Sequence, residues 1–299
     1  MRVFGPDDRI SGKTSIAIGK FDGFHMGHKQ LICSSTSSSC SLMVYKVNSS
    51  ESGCLTDREE SISAADSMGA DYYIEVDLKK YLKNLTPEEF IFKVKDQYNV
   101  SIINVGEDFR FGKGAEGSVD TLRELAHKYS YEVNVVPFYV YKDEKVSSSR
   151  IRESLASGDV VSACEMLGRR YQIKGKVIYG KEIGRSIDFP TANITTEKFL
   201  PRKGVYLTET CFDGKNHYGI TNVGLRPTVN VDGSERPNIE THLLGFDGDI
   251  YGKEINVSFI EFIRDEKRFG SLAELRTQIK MDRDAANKMI PGVYKPEGL

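Results

Sequence analysis

The chain has 299 residues, enough for two domains that each bury a core, and its 39% hydrophobic and 28% charged residues are the balance of an ordinary globular protein. A formal net charge of −2 gives no electrostatic reason to expect nucleic acid or an anionic membrane as partner, and no apolar run is long enough to cross a bilayer. The start, MRVFGPDDRISGK, lacks the apolar centre of a signal peptide. The five cysteines (Cys33, Cys40, Cys54, Cys164, Cys211) are scattered without a CxxC pair, so we expect reduced thiols in a cytoplasmic protein.

Strand-like and helix-like runs alternate through the first half. SIAIG reads as a strand and HKQLI as the helix behind it. SLMVYKV, DYYIEVD, SIINVG and YEVNVVPF read as further strands. TDREESISAADSM, PEEFIFKVKDQY and TLRELAHKY read as helices, the second with Pro87 in its first turn and Phe90, Ile91, Val94 and Tyr98 on one face. Such β-α alternation predicts a doubly wound parallel sheet with ligands at the C-terminal ends of its strands. The run SSTSSSCS (Ser34 to Ser41) reads as a solvated loop.

The pattern changes near residue 171. YQIKGKVIYG, GVYLTETCF, KNHYGITNVG, IETHLLGF and EINVSFIEFI alternate apolar and polar positions, with turns such as FDGK between them, which predicts a small antiparallel β-barrel. SLAELRTQIKMDRDAANKMI closes the chain as a helix, opened by the Ser271/Glu274 capping box and with Leu272, Leu275 and Ile279 inward. Between the halves ESLASGDVVSACEMLGRR reads as two short linking helices. We therefore expect domains at 1–168 and 169–299.

Two nucleotide-binding patterns carry little weight. Gly12-Lys13-Thr14 resembles the end of a Walker A loop, but Asp7 stands where the earlier glycine belongs, and a strand follows instead of a helix. Gly112 to Gly117 spells GxGxxG several residues beyond its strand, with no acidic residue ending the next strand, and reads as a plain glycine loop.

More informative is Gly19-Lys20-Phe21-Asp22-Gly23-Phe24-His25-Met26-Gly27-His28, at a strand-to-helix turn. A helix N-terminus presents free N–H groups and a positive dipole end to an anion, and two imidazoles there add donors for phosphate oxygens. The alternatives are a satisfied histidine pair, or zinc held by His25, His28, Cys33 and Cys40, for which the serine-rich spacer gives no fixed geometry. Ser147-Ser148-Ser149-Arg150-Ile151-Arg152 opens a later helix with the features of a second anion site, the alternative being a serine cap with two solvated arginines.

GKFDGFHMGH, VGEDFRFG and SSSRIR, in this order and followed by GDVVSACEMLGRRY, resemble the N-terminal FMN adenylyltransferase module of bacterial bifunctional riboflavin kinase/FMN adenylyltransferases, or FAD synthetases. The resemblance implies that His25, His28, Ser148, Ser149 and Arg150 hold ATP phosphates, that Phe21 and Gly27 line the nucleotide site, and that Asp108 lies near the flavin. His28 and Arg150 are the expected catalytic pair. It implies in-line attack of the FMN phosphate on the α-phosphorus of ATP, aided by Mg²⁺. One departure stands out: SLMVYKVNSSESGCLT lacks the Pro and His of the family's T-F-x-P-H-P-like segment.

In the second half, Thr191 and Asn193 of GRSIDFPTAN stand two residues apart on an extended segment and so point the same way, offering hard oxygens to a magnesium ion. Glu240 shares a strand face with His242 and Leu244, where alternation would favour an apolar residue; it is a candidate base, or else a rim glutamate facing water. GRSIDFPTAN, YGITNVGLRPTV and the whole run from IETHLLGF to QIKMD resemble riboflavin kinase over nearly all of residues 171 to 288. That resemblance implies Thr191 and Asn193 for Mg²⁺-ATP, Glu240 as base on the ribityl 5′-hydroxyl, and Arg264 and Phe269 near the flavin. The leading expectation is an enzyme that phosphorylates riboflavin and adenylylates FMN, with riboflavin, FMN and ATP as its small-molecule ligands. The alternatives are a riboflavin kinase with a degenerate adenylyltransferase half, and a non-catalytic flavin-binding regulator.

Overall fold

The computed structural model describes residues 1–37, 39–48, 53–179, 189–226 and 236–290. The chain divides into two compact units, Met1–Ser148 and Ser149–Leu299.

In the first unit six strands form one parallel sheet: β1 (Arg2–Phe4), β2 (Thr14–Gly19), β3 (Ser41–Asn48), β4 (Tyr72–Asp77), β5 (Val100–Gly106) and β6 (Glu132–Val136), in the order β1-β4-β3-β2-β5-β6. The order reverses between β2 and β5, which opens a crevice beyond their C-terminal ends. Alternation along each strand feeds two cores. Ile16, Ile18, Met43, Tyr45 and Ile103 face α3 (Pro87–Tyr98) and α4 (Val119–Tyr129). Ala17, Leu42, Val44 and Tyr73 face α1 (Met26–Cys33) and α2 (Arg58–Ser67).

Helix α3 shows how local chemistry sets these elements. Thr86 Oγ1 accepts from Glu89 N at 3.2 Å, the Glu89 carboxylate accepts from Thr86 N at 2.8 Å, and Pro87 fills the first turn. Phe90, Ile91, Val94 and Tyr98 are its buried face, and Asn99 ends it with φ 47°. The serine run after α1 is not wholly solvated, as the sequence suggested. Ser35 is buried because Ser15 Oγ donates to its carbonyl at 2.6 Å while its own hydroxyl donates to Leu31 O at 2.7 Å. The GxGxxG run is a glycine turn by packing, since a Cβ on Gly112 (φ 76°) would lie 2.8 Å from Pro87 N. A hairpin, β7 (Val140–Tyr141) and β8 (Glu144–Lys145), follows β6.

The second unit opens at Ser149, within α5 (Ser148–Ser157), and continues with α6 (Val160–Leu167). Both belong with the barrel: Arg202 N donates to Leu155 O at 2.8 Å, and the Gly158 turn packs on the Phe262 ring. By packing these two helices go with the barrel, ahead of the 168/169 boundary expected from strand pattern. The antiparallel barrel has the order β10-β13-β12-β11-β14-β9, from β9 (Gln172–Lys176), β10 (Ala192–Ile194), β11 (Gly204–Phe212), β12 (Lys215–Arg226), β13 (Arg236–Leu243) and β14 (Glu254–Arg264). Ile178 N donates to Asn193 O at 2.9 Å and so joins the two ends of the sheet. The FDGK turn is a two-residue hairpin with Asp213 and Gly214 both left-handed, as the Asp-Gly signal predicts.

Inside the barrel Ile173, Val257, Phe259 and Ile239 pack around a line of buried threonines, with Thr208 Oγ1 2.7 Å from Thr221 Oγ1 and Thr221 2.9 Å from Thr241. The hydroxyls satisfy one another, so the polar line costs little. Outside, α7 (Leu272–Met289) covers Val205, Leu207 and Ile220 with Ala286, Met289 and Ile290. The expected inward face is corrected here: Leu272 is 54% exposed, Leu275 and Ile279 are half-buried, and Asp282 and Ala286 are the buried positions. Ser271 does cap the helix, accepting from Glu274 N at 3.2 Å, but the Glu274 carboxylate accepts from Gly270 N and not from the cap residue.

Candidate active sites

The first candidate site follows β2. Its backbone is unusual, with Phe21 (φ 46°), Gly23 (φ 90°) and Phe24 (φ 42°) all left-handed. Non-glycine residues in that region cost on the order of 1–3 kcal/mol each and persist only where surroundings fix them. Burial of both phenyl rings fixes them here; the rings stack with centroids 5.6 Å apart, and Phe21 meets His28 edge-on at 5.1 Å. His25 caps α1, its Nδ1 accepting from His28 N at 3.3 Å, and the two imidazoles stack at 3.6 Å. Gly27 makes that stack possible, because a Cβ there would lie 3.2 Å from His25 Cε1. Phe21, His25, Gly27 and His28 are therefore one cluster at the N-terminus of α1, beside the reversal of the sheet.

Two further groups fasten this turn. Asp22 Oδ1 accepts from Leu55 N at 2.8 Å and from Thr56 N at 3.4 Å, while Gly23 N donates to Thr56 Oγ1 at 3.1 Å. Ser148 Oγ donates to Asp22 O at 2.7 Å, which brings the first residue of α5 to the same turn. Ser149 and Arg150 are the next two residues of that helix and fall to the second unit. Asp108 stands in the loop after β5, on the other side of the crevice, exposed and ion-paired with Lys145. Sequence reading passed over Leu55 and Thr56; residues 49–52 of that segment lie outside the described residues.

The second candidate site lies on the barrel's outer face. Asn193 of β10, Glu240 of β13 and Asn222 of β12 are direct cross-strand partners, so their side chains share one face in a row. Glu240 is half-buried, and its Oε1 accepts from Asn238 Nδ2 at 2.7 Å. Asn193 is buried and turns its Nδ2 toward Thr191 O at 3.4 Å, which directs the amide oxygen the other way. Asn238 was missed from sequence, though its i,i+2 spacing from Glu240 puts both on one strand face. His242 follows on that face; its Nδ1 lies 3.0 Å from Pro190 O and so carries the proton of that bond. Burial holds the His242 imidazole below its ordinary range, against the Pro190 bond, and Arg283 adds to the lowering.

Thr191 and Asn193 also line a cleft of about 380 Å³, together with the apolar Val177, Leu243 and Ile250, the Tyr251 ring, and Asp247 and Asp249. The Tyr179 ring stacks on Tyr251 at 4.1 Å at this cleft. Tyr251 gives the cleft an aromatic end, and Thr191, Asn193, Asp247 and Asp249 give it hard oxygen donors. Residues 184–188 of the GRSIDFPTAN motif lie outside the described residues. Arg264 is held by α7, where its Nε and Nη2 donate to the Asp282 carboxylate at 2.8 and 2.7 Å; its guanidinium lies 6.0 Å from the Phe269 ring centroid.

Comparison with known proteins finds a family model for each half of the chain. The FAD synthetase family model matches residues 7–150, and the riboflavin kinase family model matches residues 167–290. The bifunctional riboflavin kinase/FMN adenylyltransferase of Bacillus subtilis is 31% identical over 95% of this chain and 94% of its own length. The protein of that name from Escherichia coli K12 is 32% identical over 94% of each. This chain belongs to the bifunctional riboflavin kinase/FMN adenylyltransferase family. A crystal structure of a macrolide-efflux protein from Streptococcus pneumoniae is also similar, with a TM-score of 0.85 at 26% identity over 95% of this chain and 98% of that one. Among the described residues no helix is long and apolar enough to cross a membrane.

Proposed function

We propose that the chain makes FMN from riboflavin and ATP on its barrel and FAD from FMN and a second ATP on its parallel-sheet unit. The observation that carries the kinase reading is the Asn193–Glu240 row, whose Asn193 also lines, with Thr191, a cleft of mixed apolar and acidic walls. Glu240 accepts the proton of the ribityl 5′-hydroxyl as its oxygen attacks the γ-phosphorus, and ADP leaves. Asn238 donates to one carboxylate oxygen, which leaves the other for the substrate. The Thr191 hydroxyl and the Asn193 amide oxygen are the hard donors a magnesium ion takes, and such an ion would neutralise phosphate charge. The aromatic end of the cleft suits a nucleobase. Arg264 and Phe269 are assigned to the flavin end, with Arg264 oriented by Asp282.

For the adenylyltransferase, the turn with His25 and His28 at the start of α1 supports binding of the ATP phosphates. Phe21 and Gly27 shape that turn, Ser148, Ser149 and Arg150 supply the second helix start, and Asp108 faces the flavin. An FMN phosphate oxygen attacks the α-phosphorus and pyrophosphate leaves, with His28 and Arg150 stabilising the charge that develops. No covalent enzyme intermediate is required. The five free cysteines suit a reducing, cytoplasmic location.

The test is to incubate the protein with riboflavin and Mg²⁺-ATP and to separate the flavins by chromatography. FMN and FAD together are expected. FMN alone would leave a riboflavin kinase with an inactive first unit, a reading favoured by the lack of Pro and His in SLMVYKVNSSESGCLT. Neither product would leave a flavin-binding protein without catalysis.

A further inference from the structure

The adenylyltransferase turn is held from one side by a buried polar chain to which the family match gives no role. Lys46 on β3 is only 6% exposed, and its Nζ donates to Ser61 Oγ at 2.9 Å and lies 3.3 Å from Glu75 Oε1. Ser61, fully buried on α2, donates to Asp57 O at 2.7 Å and stands 3.4 Å from Thr56 Oγ1. Thr56, 1% exposed, accepts the Gly23 N–H at 3.1 Å. Gly23 sits between Phe21 and Phe24, the two non-glycine residues of this turn with left-handed backbone. Such a path is kept only where neighbours over-determine it, and here Asp22 and Gly23 are the residues fastened.

We propose that Thr56 is a positioning residue for nucleotide transfer. Its hydroxyl, itself set by Ser61 and the Lys46–Glu75 pair, holds the Gly23 N–H and so fixes the approach from β2 to His25 and His28. The remaining donors of the turn then stay aimed at the crevice instead of turning inward. This assignment rests on the adenylyltransferase reading of the first unit. It also gives Lys46 a role: its charge is neutralised by Glu75, and it orients Ser61 instead of meeting a ligand directly.

Thr56→Val keeps the shape and removes the hydroxyl, whereas Thr56→Ser keeps the hydroxyl and removes a buried methyl. Both variants, with wild type, are assayed for FAD formation from FMN and Mg²⁺-ATP, for riboflavin phosphorylation and for thermal melting. Thr56→Val should lower kcat/KM for ATP in FAD formation about tenfold, the scale of one lost hydrogen bond, with riboflavin phosphorylation at the wild-type rate. Thr56→Ser should stay within about twofold of wild type even where its melting temperature falls. Should Thr56→Val be insoluble, Ser61→Ala carries the test, with a severalfold loss expected in the same constant. Unchanged FAD formation in Thr56→Val or Ser61→Ala overturns the proposal, as does Thr56→Ser impaired to the same degree as Thr56→Val. Wild-type protein that makes no FAD overturns the reading of the first unit and the proposal with it.

Discussion

Replacing Asp282 by alanine should loosen α7 from the barrel more than any surface change on that helix. The Asp282 side chain is 4% exposed, and it accepts two bonds from Arg264, at 2.8 and 2.7 Å, and a third from Gln278 Nε2 at 2.9 Å. Breaking a buried pair by removing one partner costs about 3–5 kcal/mol, because the other charge stays behind without compensation. Arg264 is 16% exposed and also donates to Asp265 O at 2.8 Å, so part of its charge remains solvated or bonded and the cost falls just below that range, to about 2–3 kcal/mol. Each 1.4 kcal/mol is about tenfold in an opening equilibrium, so peptides from Leu272–Met289 should exchange amide hydrogen about thirty- to a hundredfold faster. Hydrogen–deuterium exchange read by mass spectrometry measures this in the intact chain, and peptides of the parallel sheet serve as the unchanged control. Asp282→Asn, which keeps an acceptor, should show a smaller increase. Unaltered protection of α7 in Asp282→Ala would refute the argument and show that Ala286, Met289 and Ile290 alone hold the helix.

Glu240→Gln should abolish FMN formation yet leave FAD formation from supplied FMN largely intact; near wild-type phosphorylation of riboflavin would remove Glu240 from its role as base. His28→Ala combined with Arg150→Ala should do the reverse, stopping FAD formation and sparing the kinase in the same chromatographic assay. A fragment starting at Ser149 should phosphorylate riboflavin and melt above one starting at Arg169, which lacks the bond from Arg202 N to Leu155 O; equal melting by circular dichroism would show that α5 and α6 add nothing. Gly112→Ala should destabilise the first unit by about 2–4 kcal/mol in denaturant titrations. The added Cβ would meet Pro87 N at 2.8 Å from a backbone at φ 76°; no change would mean that the Gly112 loop moves aside freely.

The parts of the fold that sequence made legible are those where local chemistry and burial agree. Helix α3 carries Pro87, a Thr86/Glu89 capping box and a four-residue apolar face, and β11 is an uninterrupted run bounded by Gly204 and the Asp213-Gly214 turn. The two histidines at the start of α1, and Asn193 and Glu240 each by itself, were likewise readable, since helix starts and strand alternation fix direction, but the pairing of Asn193 with Glu240 was not. Other features depend on partners far along the chain. Asp282 looks like a solvated helix residue until Arg264 is seen beside it, and the real docking positions fall one to two turns after Leu275 and Ile279. The hairpin of β7 and β8 turns on Lys142 and Asp143, both left-handed without a glycine to announce them. Thr56 gave no signal at all, because its importance comes from a backbone N–H of Gly23 thirty-three residues earlier.

Closure of the barrel also bears on the order in which the chain can fold as it is made. Among the described residues β9 pairs only with β14 along its length, and the Gln172–Asn256 bond that ties them spans 84 residues. The first strand of the barrel must therefore wait, with its ladder groups unsatisfied, until nearly the whole second unit has been synthesised. The parallel sheet is under no such delay, since its last strand, β6, ends at Val136. During translation the nucleotide-transfer unit can be complete while the kinase is still an open set of hairpins, and α6, already made, waits for β14, the strand on which it packs.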